Sequence, residues 1–363
     1  MADTLRIGLI GAGGIARQRH LPGCAALPET EIVAVFDAVE ATARQAASDF
    51  HIPVVHTDYR QMLEQNDIDA VIITTPNAYH APIAIDAMQA GKHVLCEKPM
   101  AASLQEAKAM VRVQRETGCT LMIALNNRFR SDSQWIKQLV YEGELGDIYH
   151  AKTGWLRRAG IPGWGGWFTS KRLSGGGPLI DLGVHMLDLA LWLMGSPEPV
   201  AVSGVTYRKF GDRPDHQVRT WNVANPQGVF DVEDLASAFI RCADGSTLTL
   251  DVSWAANIEK ERRFLHLLGV TGGVQLENDA VMYYGERGGQ LVDVAPQFPQ
   301  VPGAGPHSVL EKDGSLAMLR EFARAVRTGT PPLCSAEEGL RVARILDALY
   351  RSAEAGREIR LDG

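Results

Sequence analysis

Residues Leu5 to His20 read LRIGLIGAGGIARQRH, and this stretch decides how the beginning of the 363-residue chain is built. Leu5 to Ile10 is an apolar run of strand length, followed by a glycine-rich turn and then by a helical pattern from Gly14 towards Ala26. Gly11, Gly13 and Ala16 form a GxGxxA pattern. By itself that pattern is weak; after a strand and at the opening of a helix it acquires a physical meaning. Gly11 permits the tight turn, Gly13 lets the backbone approach a pyrophosphate, and Ala16 allows helix and strand to pack closely. Gly14 and Ile15 complete the loop. There the helix N-terminus offers N–H groups and the positive end of its dipole to a phosphate.

Working outward, EIVAVFD reads as a second strand that ends at Asp37, with a second helix from Ala38 to Asp49. A carboxylate at that strand end accepts hydrogen bonds from a ribose diol and repels a 2'-phosphate. The expected cofactor is therefore NAD, with NADP left open because Arg44 lies nearby in sequence. IDAVIITTP with a helix from His80 to Ala90, KHVLCEKP with a helix from Ser103 to Gly118, and CTLMIAL continue the alternation. Strand and helix in strict alternation predict a parallel sheet with helices on both faces. Thr75, Pro76, Asn77 and His80 follow one strand, and Glu97 and Lys98 follow the next. Open α/β sheets bind ligands at such carboxyl ends, so all six are candidate cofactor contacts.

After about Asn126 the pattern changes. SQWIKQLVYEGELGDI predicts a helix ending in glycine turns, and DIYHAKTGWLRR a strand. From Val200 to about Val294 the chain reads as consecutive strands, which fit a mostly antiparallel sheet. Val294 to Ser308 is a Pro/Gly-rich loop, and two helices follow, roughly Ser315 to Thr328 and Ala336 to Ala355. The expected fold is α/β. Residues 1–125 form a Rossmann doubly wound parallel sheet, and 126–363 an α+β domain with a large, mostly antiparallel open sheet. The helix at about 336–355 is a candidate to pack back on the first domain.

Composition excludes several functions. The net charge of −7 offers no basic footprint for nucleic acid or an anionic membrane. Five scattered cysteines without a CxxC pair suggest neither a disulfide framework nor a zinc site, and a reducing cytoplasm is expected. The first residues are too glycine-rich for a signal peptide, and no apolar stretch is long enough to span a bilayer.

SGGGPLIDLGVHMLDLALWLMG, Ser174 to Gly195, raises a chemical question. From Leu179 to Met194 it reads as one helix, apolar on every side and hence buried. Yet it carries Asp181, His185 and Asp188, and such groups are costly inside unless partnered. At i and i+4, Asp181 and His185 share a helix face, with Asp188 at i+7. A polar stripe on a buried helix makes sense if it looks into a cavity, and the glycines before it could admit a ligand. Metal ligation by Asp181 and His185 finds no third ligand in sequence, and none is expected. Asp188 lies a turn deeper and reads as structurally partnered.

GAGGIA, TPNAYH, EKP, NNRF, GELGDI, GGGPLIDLGVHMLD and AEEGLRVARILDALYRSAEAGREIRL together resemble the Gfo/Idh/MocA oxidoreductases, over nearly the whole chain. The resemblance implies a Rossmann domain and a second α/β domain whose open sheet supports a homodimer or homotetramer. It implies that Lys98 is catalytic, that Glu97 contacts the nicotinamide-side ribose, and that Asp181 and His185 line the substrate. The chemistry is coherent. An imidazole titrating near pH 6.5 can take a hydroxyl proton near neutrality, and an ammonium can stabilise the oxygen's developing charge. Which of Lys98 and His185 is the immediate base stays open.

The expected function is hydride transfer between NAD(P) and a secondary alcohol of a sugar, sugar derivative or cyclitol. Alternatives are a glycosidase that uses NAD for transient oxidation, and a non-catalytic nucleotide-binding regulator. Trp155, Arg157, Arg158, Trp164, Trp167 and Lys171 precede the polar helix. Aromatic faces with scattered donors suit a carbohydrate ring, so Arg158, Trp164 and Trp167 are candidate substrate contacts. Each tryptophan reads equally well as core, and the basic residues as carboxylate or phosphate binders. His307 is a further candidate, and Arg128 reads as a brace.

Overall fold

The computed structural model describes residues 4–211, 213, 220, 225–298 and 306–361. The chain clusters into two compact units and does not break at one point near residue 125. One unit comprises Met1–Arg130 and Gln300–Arg341, the other Ser131–Pro299 and Val342–Gly363.

The first unit holds strands β1 (Leu5–Ile10), β2 (Thr30–Phe36), β3 (Val54–His56), β4 (Ala70–Ile73), β5 (His93–Cys96) and β6 (Leu121–Ile123). All pair in parallel, in the order β3-β2-β1-β4-β5-β6. This is the doubly wound order of dinucleotide-binding sheets. β1 and β4 are almost completely buried, as continuous apolar runs between two helical layers should be. The short β3 and the helix Tyr59–Leu63 carry too little periodicity to predict. Asp58 caps that helix, accepting from the Arg60 N–H at 2.9 Å. The helix Leu104–Thr117 starts where Ser103 and Glu106 bond reciprocally and stops at left-handed Gly118. After Gly14 the first helix is π-helical over Ala16–His20 and α-helical over Leu21–Ala25.

The returning segment of this unit contains the helices Pro306–Lys312 and Ser315–Thr328. Sequence assigns Pro306 to Ser308 to a loop, because proline and glycine dominate the residues just before; proline is tolerated in a first helical turn. The helix Ala336–Ala355 begins within the first unit, where Gly339 packs on Ile123 and Met100.

In the second unit, β7 (Ile148–Leu156), β8 (Pro199–Tyr207), β9 (Leu235–Cys242), β10 (Thr247–Ser253), β11 (Arg262–Gly269), β12 (Gly272–Glu277), β13 (Ala280–Arg287), β14 (Gln290–Val294) and β15 (Ile359–Arg360) form one sheet. Its order is β14-β13-β12-β11-β7-β10-β9-β8-β15, antiparallel except where β7 meets β10. Burial alternates along the central strands. Ala236, Ala238, Leu248, Leu250, Leu265 and Leu267 lie on the helix-covered face. The other face presents Val205, Tyr207 and Leu268, with Phe239, Thr249, Lys152 and His266 in one cross-strand row.

Candidate functional site

The nucleotide-side features gather where β1 and β4 lie side by side, the point at which strand order reverses. Crevices of this kind hold ligands beyond the strand ends. Gly11 has φ +98°, and an added Cβ would stand 2.9 Å from the Thr74 carbonyl carbon, so both conformation and space require glycine. At Gly13 an added Cβ would meet nothing within 4 Å. Gly13, Gly14 and Ile15 are exposed at the helix start, where the first N–H groups have no intrahelical acceptor. The Asp37 carboxylate is pinned by the N–H groups of Ala12 and Val39, each donating at 2.8 Å. Spare lone pairs remain for a diol. Arg44 is drawn to Glu40, with Nε donating at 2.8 Å. The Thr75 hydroxyl is buried and, among the described residues, has no hydrogen-bond partner. An open backbone cradle, a fixed carboxylate and an unsatisfied buried hydroxyl fit a dinucleotide. Pro76 and Asn77 continue this loop into a short 3-10 turn, with Asn77 buried.

His80 behaves differently from a nucleotide contact. It is 1% exposed, its Nδ1 lies 2.8 Å from the Pro99 carbonyl and its Nε2 2.9 Å from the Thr75 carbonyl. Both ring nitrogens face main-chain oxygens, so the side chain ties the Thr75 loop to the Pro99 turn. Burial pulls its imidazole below the ordinary range, against the two carbonyls and Glu97.

Glu97 and half-buried Lys98 directly follow β5. One Glu97 oxygen lies 2.8 Å from His20 Nε2, and the other accepts the Lys98 backbone N–H at 3.1 Å. Burial pushes the Glu97 carboxyl up, but the His20 bond and the neighbouring His20 and Lys98 outweigh it, leaving the group below its ordinary range. Sequence reading passes over His20, because a lone histidine on a helix beside the glycine loop carries no recognisable spacing. Arg128 is buried and donates to Glu338 at 2.7 Å and to the Leu333 carbonyl at 3.2 Å, a brace within this unit.

In the second unit the polar helix departs from the expected single α-helix. It opens as a π-helix over Leu179–Gly183 and becomes α-helical over Val184–Leu193. Asp181 therefore sits on a π turn, a feature frequent at functional sites. Its carboxylate accepts the indole N–H of fully buried Trp254 at 2.9 Å and lies 3.9 Å from Arg157. Burial draws the Arg157 guanidinium below its usual range, with Asp181 and Glu261 acting the other way. Half-buried His185 has its ring 6.4 Å from that of Trp155. The Trp155 indole donates to Glu261 at 2.5 Å, and Arg157 lies 4.9 Å from the Trp155 ring. Asp188 is buried.

Two of the three glycines before this helix, Gly176 and Gly177, do not make room for a ligand. An added Cβ on Gly176 would stand 2.0 Å from the Tyr350 hydroxyl, and one on Gly177 2.0 Å from the Glu233 carbonyl oxygen. The Glu233 side chain holds the helix start, accepting from the Gly177 and Leu179 N–H groups at 3.0 Å each and from Tyr350 at 2.8 Å. Burial raises its carboxyl above the ordinary range despite those three donors. Trp254, Glu261, Glu233 and Tyr350 escape sequence reading; a strand-end tryptophan signals only that its N–H needs an acceptor.

Trp164 is 4% exposed, with its ring edge-on to Phe230 at 4.8 Å, so it belongs to the core of this unit. Half-buried Trp167 stacks on Phe168 at 3.7 Å. Arg158 is exposed and donates to the Glu259 carbonyl at 2.7 Å, and Lys171 is exposed. The side chain of His307 lies outside the described residues. Among the described residues no group of three or more potential metal ligands clusters, and no helix is long and apolar enough to cross a membrane.

Residues 5–125 match the model of an oxidoreductase family described as an NAD-binding Rossmann fold, and residues 133–275 match the GFO/IDH/MocA C-terminal domain. The chain is 32% identical over 362 residues to D-glucoside 3-dehydrogenase of Escherichia coli (strain K12), covering 99% of this chain and 98% of that one. It is 26% identical over 381 residues to an NADP(+) scyllo-inositol 2-dehydrogenase of Bacillus subtilis (strain 168), covering 99% and 97%. A solved levoglucosan dehydrogenase in complex with NADH superposes with a TM-score of 0.86 at 25% identity, covering 99% of this chain and all of that one.

Proposed function

This chain belongs to the Gfo/Idh/MocA family and is an NAD(P)-dependent oxidoreductase acting on a secondary alcohol of a sugar, sugar derivative or cyclitol; on that premise we propose that it oxidises a ring hydroxyl of a pyranoside with NAD. Similarity to a glucoside 3-dehydrogenase along the full chain supports the pyranoside. The pinned Asp37 carboxylate and the engagement of Arg44 with Glu40 favour NAD over NADP.

Gly11, Gly13, Gly14 and Ile15 hold the pyrophosphate, Asp37 the adenosine ribose, and Thr75, Pro76, Asn77 and Glu97 the nicotinamide side. Bound nicotinamide supplies the hydride acceptor. Lys98 polarises the reacting hydroxyl and stabilises its developing charge, while His185 takes the proton. Asp181 orients the substrate or the imidazole. One observation carries this reading: Asp181 and His185 are the two half-buried positions of an otherwise buried helix, one turn apart, with Asp181 anchored by Trp254.

A second copy of this chain covers the open face of the sheet, giving a homodimer or homotetramer. The half-exposed Val205, Tyr207 and Leu268 support this. Five free, buried cysteines suit a reducing cytoplasm.

A panel of sugars, polyols and glycosides, offered with NAD and with NADP and followed by the absorbance of reduced nicotinamide, tests the proposal. Steady NADH formation from a pyranoside supports it. Cleavage of a glycoside with no net NADH would replace it with the glycosidase reading. Lys98→Ala and His185→Ala should each lower turnover about 10²-fold or more, with NAD binding nearly intact by fluorescence titration. Wild-type rates in either variant remove that residue from the mechanism.

A further inference from the structure

We propose that His20 is a positioning residue of the Lys98 centre, acting through Glu97 on the main chain that carries the lysine. The proposal rests on the catalytic reading of Lys98 above. His20 closes the π-helical stretch Ala16–His20 that follows the glycine loop, and it is 1% exposed. Its Nε2 lies 2.8 Å from one Glu97 oxygen, and the other oxygen accepts the Lys98 backbone N–H at 3.1 Å. Two contacts thus join the nucleotide-loop helix to the backbone of the lysine.

The protonation pattern follows from the partners. An ionised carboxylate only accepts, so Nε2 carries the proton. Among the described residues Nδ1 has no partner. Nε2–H is thus a fixed donor to the Glu97 carboxylate. Besides His20, Glu97 faces Lys98 and Cys96 on its own segment and His80 on the helix His80–Gln89. Of these four neighbours, the hydrogen bond from His20 does most to hold the carboxylate ionised. The π turn makes mechanical sense here, because its wider register sets where His20 leaves the helix.

Paired variants test this. Glutamine can place an amide N–H near the position of Nε2, whereas asparagine is too short; both are polar and of similar volume. In the nucleotide-free protein, the Glu97 carboxyl is titrated by carbon NMR with labelled glutamate and identified by its loss in Glu97→Gln. His20→Asn should move the midpoint up by about one pH unit, and His20→Gln should restore it. In turnover, the acid limb of the kcat/KM profile should move to higher pH in His20→Asn and return in His20→Gln. An unchanged titration and profile in a folded His20→Asn protein overturn the proposal, as does loss of stability with no shift of either. If Lys98→Ala keeps wild-type turnover, the reading of Lys98 itself fails. If Lys98→Ala is inactive while His20→Asn titrates normally, only the role of His20 fails.

Discussion

At the scale of single residues, side chains of one type have been given opposite tasks by their surroundings. Half-buried Glu97 and buried Glu233 both accept backbone N–H groups, yet one is held below and the other above the ordinary range. Two neighbouring basic groups make the difference at Glu97; Glu233 has only neutral donors, which burial outweighs. In the proposed cofactor site Asp37 acts through charge as well as shape. Asp37→Asn keeps one acceptor but drops the repulsion of a 2'-phosphate. Its ratio of kcat/KM for NADP over NAD should therefore rise about tenfold or more, measured by initial rates with each cofactor. An unchanged ratio would place cofactor choice elsewhere. Lys98, Asp181, His185 and Asp37 were legible as candidates because their spacing from glycine or strand signals is distinctive. His20, Trp254 and Glu233 were not, because each matters only through a partner 50 to 80 positions away in the chain.

At the scale of elements, two glycine segments that look alike in sequence have different physical reasons. Gly13 faces open space, whereas Gly177 is pressed against the Glu233 backbone. Gly13→Ala should leave thermal stability within about 1 kcal/mol while weakening NAD binding markedly, read by titration calorimetry. Gly177→Ala should show the reverse order of effects: a loss of about 2–3 kcal/mol from overpacking in chemical denaturation. Equal destabilisation by both would dissolve the distinction. The helices were legible because their caps and periodicity are local, as at Ser103 and Gly118. The π turns at Ala16–His20 and Leu179–Gly183 were not, since no residue type marks an i→i+5 bond.

At the scale of the whole molecule, the depressed Glu97 carboxyl links folding to pH. A carboxyl lowered in the fold contributes stability fully above its unfolded value, and that contribution is lost as pH falls through the folded value. Below about pH 4.5, Glu97→Gln should therefore lose less thermal stability per pH unit than the wild type. Parallel melting curves would remove Glu97 from the acid transition. Glu233, raised in the fold, contributes in the opposite direction and weakens stability as pH rises from its unfolded towards its folded value. Association belongs to this scale too. If a second copy covers the open sheet face, as proposed, Phe239→Asp there should shift the mass by light scattering towards the monomer, and an unchanged mass would remove that face as an interface.

The strand–helix alternation of a parallel sheet, the run of strands of a mostly antiparallel one and the chemical character of the candidate groups were legible in the sequence alone. Those properties arise from hydrophobic period and from glycines near their own strand, which act over a few residues. The tertiary structure alone decided that the chain returns at Gln300–Arg341 to its first unit, and that Trp164 is core. It also decided that the Gly176–Gly177 space belongs to Tyr350 and Glu233, and that His20 stands behind Lys98. These are contacts between segments far apart in the chain, where burial and hydrogen-bond geometry depend on which partner folding delivers.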